Sequence, residues 1–234
     1  KDFDKDVVAY PERILSQGIL TLKHLRYLLY IVLAIEIGIS FSIGWTQLFI
    51  WIGIMVWSLL MFYEFFVPEF LNRHMGLYLI SHQLSILLVA GYGLSMGYDI
   101  ATADRTAMAS IFVLLIGIMC ATITYEIARK TWPPEKEQEN ADSYTKVWGI
   151  WTAVVVNQAF AVLATLAFAY LYATYSIGLT FTIVLAAFNV FFLVTGLLFA
   201  SGPTAKREKL VMAGGILFML GAFVNSMVAF IGGS

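Results

Sequence analysis

The sequence predicts an all-α, polytopic membrane protein, a helical bundle with seven transmembrane helices visible. Three observations carry this. The 234 residues are 60% hydrophobic and 12% charged, with a mean hydropathy of +0.83, whereas a soluble domain carries about 25% charged residues. The apolar residues fall in long continuous runs, and a bilayer-spanning helix needs about 20 of them. Finally, every Lys and Arg except Arg105 falls on one side when the runs are threaded alternately through a membrane.

The runs cover roughly 25–44, 46–66, 75–97, 106–128, 147–172, 175–200 and 208–231. Strands are excluded because the runs do not alternate at period two. Sizeable polar stretches occur at 1–24 and 129–146, with shorter ones near 67–74, 98–105 and 201–209. With seven spans, 1–24, 67–74, 129–146 and 201–209 share a side. The Lys/Arg bias places that side in the cytoplasm and the C-terminus outside.

Other classes fall away on composition. At 15% aromatic residues the chain is not disordered. A net charge of −1 gives no basic field for nucleic acid. The single cysteine, Cys120, excludes an internal disulfide framework and a cysteine-cluster zinc site.

Most acidic residues sit with the basic ones in two segments on the cytoplasmic side. The first holds Asp2, Asp4, Asp6, Glu12 and Arg13. On a helix, Asp2 and Asp6 are spaced i, i+4 and share a face. Two close carboxylates repel unless a cation lies between them. Mg²⁺ suits such a pair, because it takes one or two carboxylates and completes its shell with water and phosphate oxygens. Arg13 offers a planar fork for a phosphate. The same residues would also serve as a solvated, charged helix end.

The second segment runs Tyr125-Glu126-Ile127-Ala128-Arg129-Lys130, then Glu135, Lys136, Glu137, Glu139, Asp142, Ser143 and Lys146. Arg129 and Lys130 would complement the dipole of a helix C-terminus. Two acidic-plus-basic clusters on one membrane face would equally hold a diphosphate through bridging metals, with Arg and Lys on the remaining oxygens.

The stretch Asp2-x3-Asp6-x4-Pro11-x-Arg13-x4-Gly18 resembles the first aspartate-rich signature, NDxxDxxxD, of the UbiA superfamily of intramembrane prenyltransferases. In some branches a Pro-x-Arg and a Gly follow it. The Asn-Asp that opens the signature would lie just before Lys1. Glu126 to Lys130, followed by Ser143-x5-Gly149, resembles the second acidic motif and its trailing Ser/Thr and Gly. The family has nine helices, and its two motifs end helices two and six. The resemblance thus implies that 1–234 is a single UbiA-like transmembrane domain lacking the first helix and most of the second.

The family's second motif is usually DxxxD, and here its second carboxylate is replaced by Lys130. Either Glu135, Glu137, Glu139 or Asp142 supplies the missing ligand, or Lys130 binds the diphosphate directly in place of one metal.

The resemblance implies Mg²⁺-dependent transfer of a prenyl group from an isoprenyl diphosphate to a hydrophobic acceptor, aromatic or lipid, in the membrane. It makes Asp2, Asp6 and Glu126 the metal ligands and catalytic residues. Arg13, Arg129 and Lys130 would grip the diphosphate, with Arg73 and Lys146 as further cations. The prenyl tail would lie between helices and open toward membrane lipid. Aromatic faces would shield the allylic cation. Trp45, Trp51, Trp57, Trp148 and Trp151 are available for this or for interfacial anchoring. Glu64, Glu69 and Arg73 flank a loop that would act as a lid or stay solvated.

Within the spans, Glu36 must be protonated or paired, to bind an acceptor or to make a structural hydrogen bond. His82 would orient an acceptor or pack as a core histidine. Asn157, Gln158, Asn189 and Asn225 read as interhelical hydrogen-bond partners, and Gly214-Gly215 as a close helix contact.

A retinal protein is rejected, because the last span has no interior lysine; Lys206 and Lys209 lie at its mouth. The signature of CDP-alcohol phosphotransferases is absent. The alternative is a non-catalytic UbiA-like membrane subunit, or a pigment- or lipid-binding scaffold with partners in a membrane complex.

Overall fold

The computed structural model describes residues 3, 7, 11–98, 103–137 and 143–232. Asp2, Asp6, Glu139 and Asp142 therefore lie outside the described residues. Among the described residues the chain is all-α, with seven helices long and apolar enough to cross a membrane.

The spanning helices are α1 (Leu22–Ile43), α2 (Trp45–Phe62), α4 (Met75–Gly97), α5 (Arg105–Arg129), α7 (Ile150–Thr174), α8 (Leu179–Ala200) and α9 (Ala205–Gly232). Two short helices, α3 (Pro68–Arg73) and α6 (Tyr144–Trp148), join them. The chain divides into two units. One comprises residues 1–68 and 92–98, the other residues 69–91 and 99–234.

In the first unit, Thr21 starts α1 with a reciprocal cap. Its hydroxyl accepts from the His24 amide at 3.3 Å, and its own amide donates to His24 Nδ1 at 3.4 Å. Glu36, the acid in the middle of this span, accepts from Trp51 Nε1 of α2 at 3.2 Å. It thus has the structural hydrogen bond that one of its two readings required. The last turn of α4 joins this unit through a 2.7 Å bond between Tyr92 Oη and Ser40 Oγ. Gln47 Nε2 also donates to Ser95 O at 2.7 Å.

The second span is shorter than its apolar run. Helix α2 stops at Phe62, and Glu64, Phe65 and Phe66 all turn left-handed, with φ of 49°, 52° and 60°. Such residues cost roughly 1–2 kcal/mol each. Aromatic packing offsets part of this: Phe65 sits edge-on to Trp57 at 5.1 Å, and Phe66 stacks on Tyr63 at 5.6 Å. Pro68 then opens α3 and holds Val67 out of the helical region.

The second unit is built on α5, α7, α8 and α9, which pack against one another. Ala121, Ala161, Ala164 and Ala222 are completely buried along the seams, with Phe168, Phe199 and Phe218 filling the core between them. The Gly214-Gly215 expectation holds. A Cβ at Gly215 would come within 2.6 Å of the Ala128 Cβ, and one at Gly214 within 2.6 Å of Thr195 Oγ1.

The amides join helices as expected. Gln158 donates to Asn189 Oδ1 at 2.6 Å, and Asn189 donates to Thr165 at 2.8 Å. Asn225 donates to Tyr172 Oη at 3.1 Å and to the Phe181 carbonyl at 2.9 Å.

Two further boundaries differ from the sequence expectation. The run at 147–172 is broken at Gly149, whose φ of 82° separates α6 from α7; a left-handed residue there favours glycine. The run at 175–200 becomes helical only at Leu179, because Ser176 is left-handed at φ 55°.

Candidate functional site

The chemistry of the second unit concentrates at the C-terminal end of α5. Glu126, Arg129 and Lys130 are spaced i, i+3 and i+4, so a helix puts them on one face. Arg129 Nη2 lies 2.8 Å from both Glu126 oxygens, and its Nε donates to Oε2 at 3.1 Å. Lys130 Nζ lies 3.6 Å from Glu126 Oε1. The carboxylate side chain is 19% exposed, against 45% for Arg129. The two cations also face the negative end of the helix dipole.

The described residues of the polar stretch after α5 form a hydrogen-bonded strap. Tyr144 donates its amide to the Lys130 carbonyl at 3.1 Å. Trp132 Nε1 donates to the Arg129 carbonyl at 3.2 Å. Thr145 Oγ1 accepts from the Trp132 amide at 3.0 Å and lies 2.8 Å from the Trp132 carbonyl. Ser143 caps α6 by accepting from the Lys146 amide at 2.9 Å and donates to Glu137. Glu135 Oε1 accepts from the Ala205 amide at 3.2 Å. Lys136 pairs with Glu208, which ties the strap to the first turn of α9.

Tyr144 is the residue that sequence reasoning missed. It is buried with Ile123 and Ile127 of α5 and with Met75 and Leu79 of α4. Its ring contacts Trp148 at 4.7 Å, the i, i+4 aromatic pair of α6. The phenol is held well above its ordinary range, first by burial and then by the negative charge of Glu126, with Arg129 opposing. Tyr78 of α4 acts on it in the same sense as Glu126. His82 stacks on the Tyr78 ring at 4.0 Å and its Nδ1 lies 2.9 Å from the Tyr78 carbonyl. The available signal in sequence was the Tyr-x3-Trp spacing directly after the capping Ser143.

In the same unit, α7 and α8 frame an open, predominantly apolar groove of about 470 Å³. Trp151, Val155, Gln158, Leu163, Leu193 and Leu197 are among its lining residues. It begins three residues beyond Trp148.

The structure thus brings together Glu126, Arg129 and Lys130, and adds Tyr144. Arg73 ends α3 exposed, and no hydrogen bond or ion pair joins it to the cluster among the described residues. The Lys146 side chain is exposed on α6. Arg13 lies in the first unit, in a turn where its carbonyl accepts from the Gln17 amide at 2.9 Å. Gly18 closes that turn at φ 72°.

A magnesium ion does not fit the described residues as they stand. No three His, Cys, Asp or Glu side chains converge among them. Both Glu126 oxygens are engaged by Arg129, Glu135 binds the Ala205 amide, and Glu137 accepts from Ser143 through Oε1, its Oε2 buried without a partner among the described residues. In comparisons with known proteins, no family model, curated protein or solved structure matches the chain.

Proposed function

We propose that the chain transfers a prenyl group from an isoprenyl diphosphate to an aromatic or lipid acceptor within the membrane, as its resemblance to the UbiA superfamily implies. The observation that carries the reading is the pairing of a cationic cluster, Arg129 and Lys130 held by Glu126, with the apolar α7–α8 groove in the same unit. A diphosphate ester with an isoprenoid tail has these two halves.

In this reading the C–O bond between the allylic carbon and the diphosphate breaks, and the electron pair leaves with the diphosphate. Arg129 and Lys130 offset the charge that develops there. The apolar groove shelters the tail from water. The acceptor then bonds to the allylic carbon and gives its proton to solvent. The Mg²⁺ of the resemblance belongs to Asp2 and Asp6, an assignment that rests on sequence alone. The Lys/Arg bias assigns this end to the cytoplasm and the C-terminus to the outside.

The test is binding of a non-hydrolysable geranylgeranyl diphosphate analogue to the purified full-length protein, with and without Mg²⁺. Metal-enhanced binding that is lost in Asp6→Asn supports the transferase. Binding indifferent to metal and to Asp6→Asn sinks it. The replacement of the family's second aspartate by Lys130 favours one other reading, a non-catalytic lipid- or pigment-binding subunit of a membrane complex. That reading would then stand in front.

A further inference from the structure

We infer that Glu126 is a positioning residue rather than a metal ligand, and that it holds Arg129 and Lys130 as a metal-free clamp for the phosphate oxygens of the substrate. The inference rests on the diphosphate reading above and refines the site it uses.

The donors of the cluster divide into spent and unspent. Arg129 engages Glu126 through Nη2 and Nε. Its Nη1 makes no hydrogen bond among the described residues. Lys130 approaches Glu126 only at 3.6 Å, beyond hydrogen-bond distance, and its three protons are likewise unspent among the described residues. One carboxylate facing two cations leaves a net positive charge. Oriented and unspent N–H donors with a positive excess are what a phosphate dianion recognises.

A metal at Glu126 meets the opposite conditions. Mg²⁺ demands carboxylate oxygens at about 2.0–2.1 Å in near-octahedral geometry. Both Glu126 oxygens already accept from a guanidinium, and two cations would lie beside an incoming dication. No group of three His, Cys, Asp or Glu side chains converges there among the described residues. Glu126 instead fixes the guanidinium plane, so that the free edge of Arg129 points away from its own carboxylate. The replacement of the second acid of the motif by Lys130 then reads as an exchange of metal for ammonium.

The strap closes the back of the clamp. The Arg129 carbonyl is taken by Trp132 Nε1 and the Lys130 carbonyl by the Tyr144 amide. On the inner side, the Asn157 amide, oriented to satisfy both of its groups, donates to the Thr124 carbonyl at 3.0 Å and accepts from the Ala128 amide at 3.2 Å. The last turn of α5 is therefore held from both sides.

The experiment is titration of inorganic pyrophosphate into the full-length protein in a phosphate-free, non-ionic detergent, in EDTA and in Mg²⁺. Pyrophosphate should bind in EDTA. Lys130→Gln and the more exposed Arg129→Gln should each weaken that binding about 10- to 100-fold, the range for charge-assisted hydrogen bonds. Size-exclusion profiles show that each variant is folded. The factor by which Mg²⁺ tightens binding should be unchanged in Glu126→Gln. Short-chain phosphatidic acid, added as a competitor, separates a lipid headgroup from a free diphosphate as the source of those oxygens. Displacement by either supports the clamp, and the tighter competitor names the source.

Loss of the Mg²⁺ factor in Glu126→Gln, or no pyrophosphate binding in EDTA, overturns the inference. The prenyltransferase reading fails separately. Its mark is a geranylgeranyl analogue that binds no tighter than pyrophosphate while the Arg129 and Lys130 effects persist.

Discussion

Lys136 and Glu208, 72 positions apart in the chain, meet Nζ to Oε1 at 2.5 Å. The pair is lopsided: the Lys136 side chain is 52% exposed and that of Glu208 6%. Lys136 also lies 5.9 Å over the Trp132 ring. It thereby couples the strap to the first turn of α9, and through Trp132 to the carbonyl of Arg129.

Removing the cation strands a nearly buried carboxylate. Loss of one partner from a fully buried pair costs about 3–5 kcal/mol. Solvent on the lysine side screens this one, and about 1 kcal/mol is expected for Lys136→Met. Glu208→Gln keeps an acceptor and should cost less. Thermal unfolding of the two variants in detergent checks the order; equal midpoints for wild type and Lys136→Met would remove the strap's anchor from the account.

The tight approach of α9 to α5 makes a second prediction. A Cβ on Gly215 would stand 2.6 Å from the Ala128 Cβ. That methyl has no rotamer with which to move aside, so the helices must separate. Gly215→Ala should destabilise by about 1–3 kcal/mol, the usual cost of overpacking. Gly53 on α2 has nothing within 4 Å of its Cβ position. Gly53→Ala should therefore be neutral or stabilising by up to about 1 kcal/mol. Parallel denaturation curves would contradict the packing argument if both substitutions moved in one direction.

Glu36 and Trp51 supply a double-mutant cycle. The indole is the donor that the carboxyl group finds in mid-span, at 3.2 Å. Trp51→Phe keeps an aromatic ring but leaves the acid without it, and a loss of about 1–3 kcal/mol is expected. Glu36→Leu removes the need for a donor. The double variant should therefore lose less than the sum of the two single variants. Additive losses would show that the bond contributes nothing beyond packing.

Much of the fold was legible in sequence, because a spanning helix is specified by length and apolarity alone. The interhelical amides were legible for a related reason. Asn189 and Asn225 sit in runs that have no water to satisfy them, so they must find protein partners. The end of α2 was not legible: Phe65 and Phe66 read as more span, and only their left-handed φ values reveal a turn. The strap was hidden because Glu135, Lys136 and Glu137 look like a solvated charge run until Ala205, Glu208 and Ser143 are brought to them. Half of the candidate site, Glu126 with Arg129 and Lys130, could be read from helix spacing. Tyr144 could not, since an aromatic near a membrane boundary reads first as an anchor. Asp2 and Asp6 lie outside the described residues.

Tyr144 also makes the pH dependence of the protein specific. Its phenol is held above the ordinary value near 10 by burial and by Glu126. A buried neutral phenol favours the folded state as long as the unfolded chain keeps its own tyrosine protonated. This contribution is complete below about pH 10 and is lost as pH rises from there toward the folded value, because the unfolded chain releases its proton first. One proton corresponds to a slope of about 1.4 kcal/mol per pH unit over that window. Stability measured between pH 8 and 11 should fall more steeply at the alkaline end for wild type than for Tyr144→Phe. Tyrosinate absorbance should show one phenol fewer resisting ionisation in the variant. Superimposable alkaline stability curves for the two proteins would place the Tyr144 hydroxyl in open water, away from Glu126.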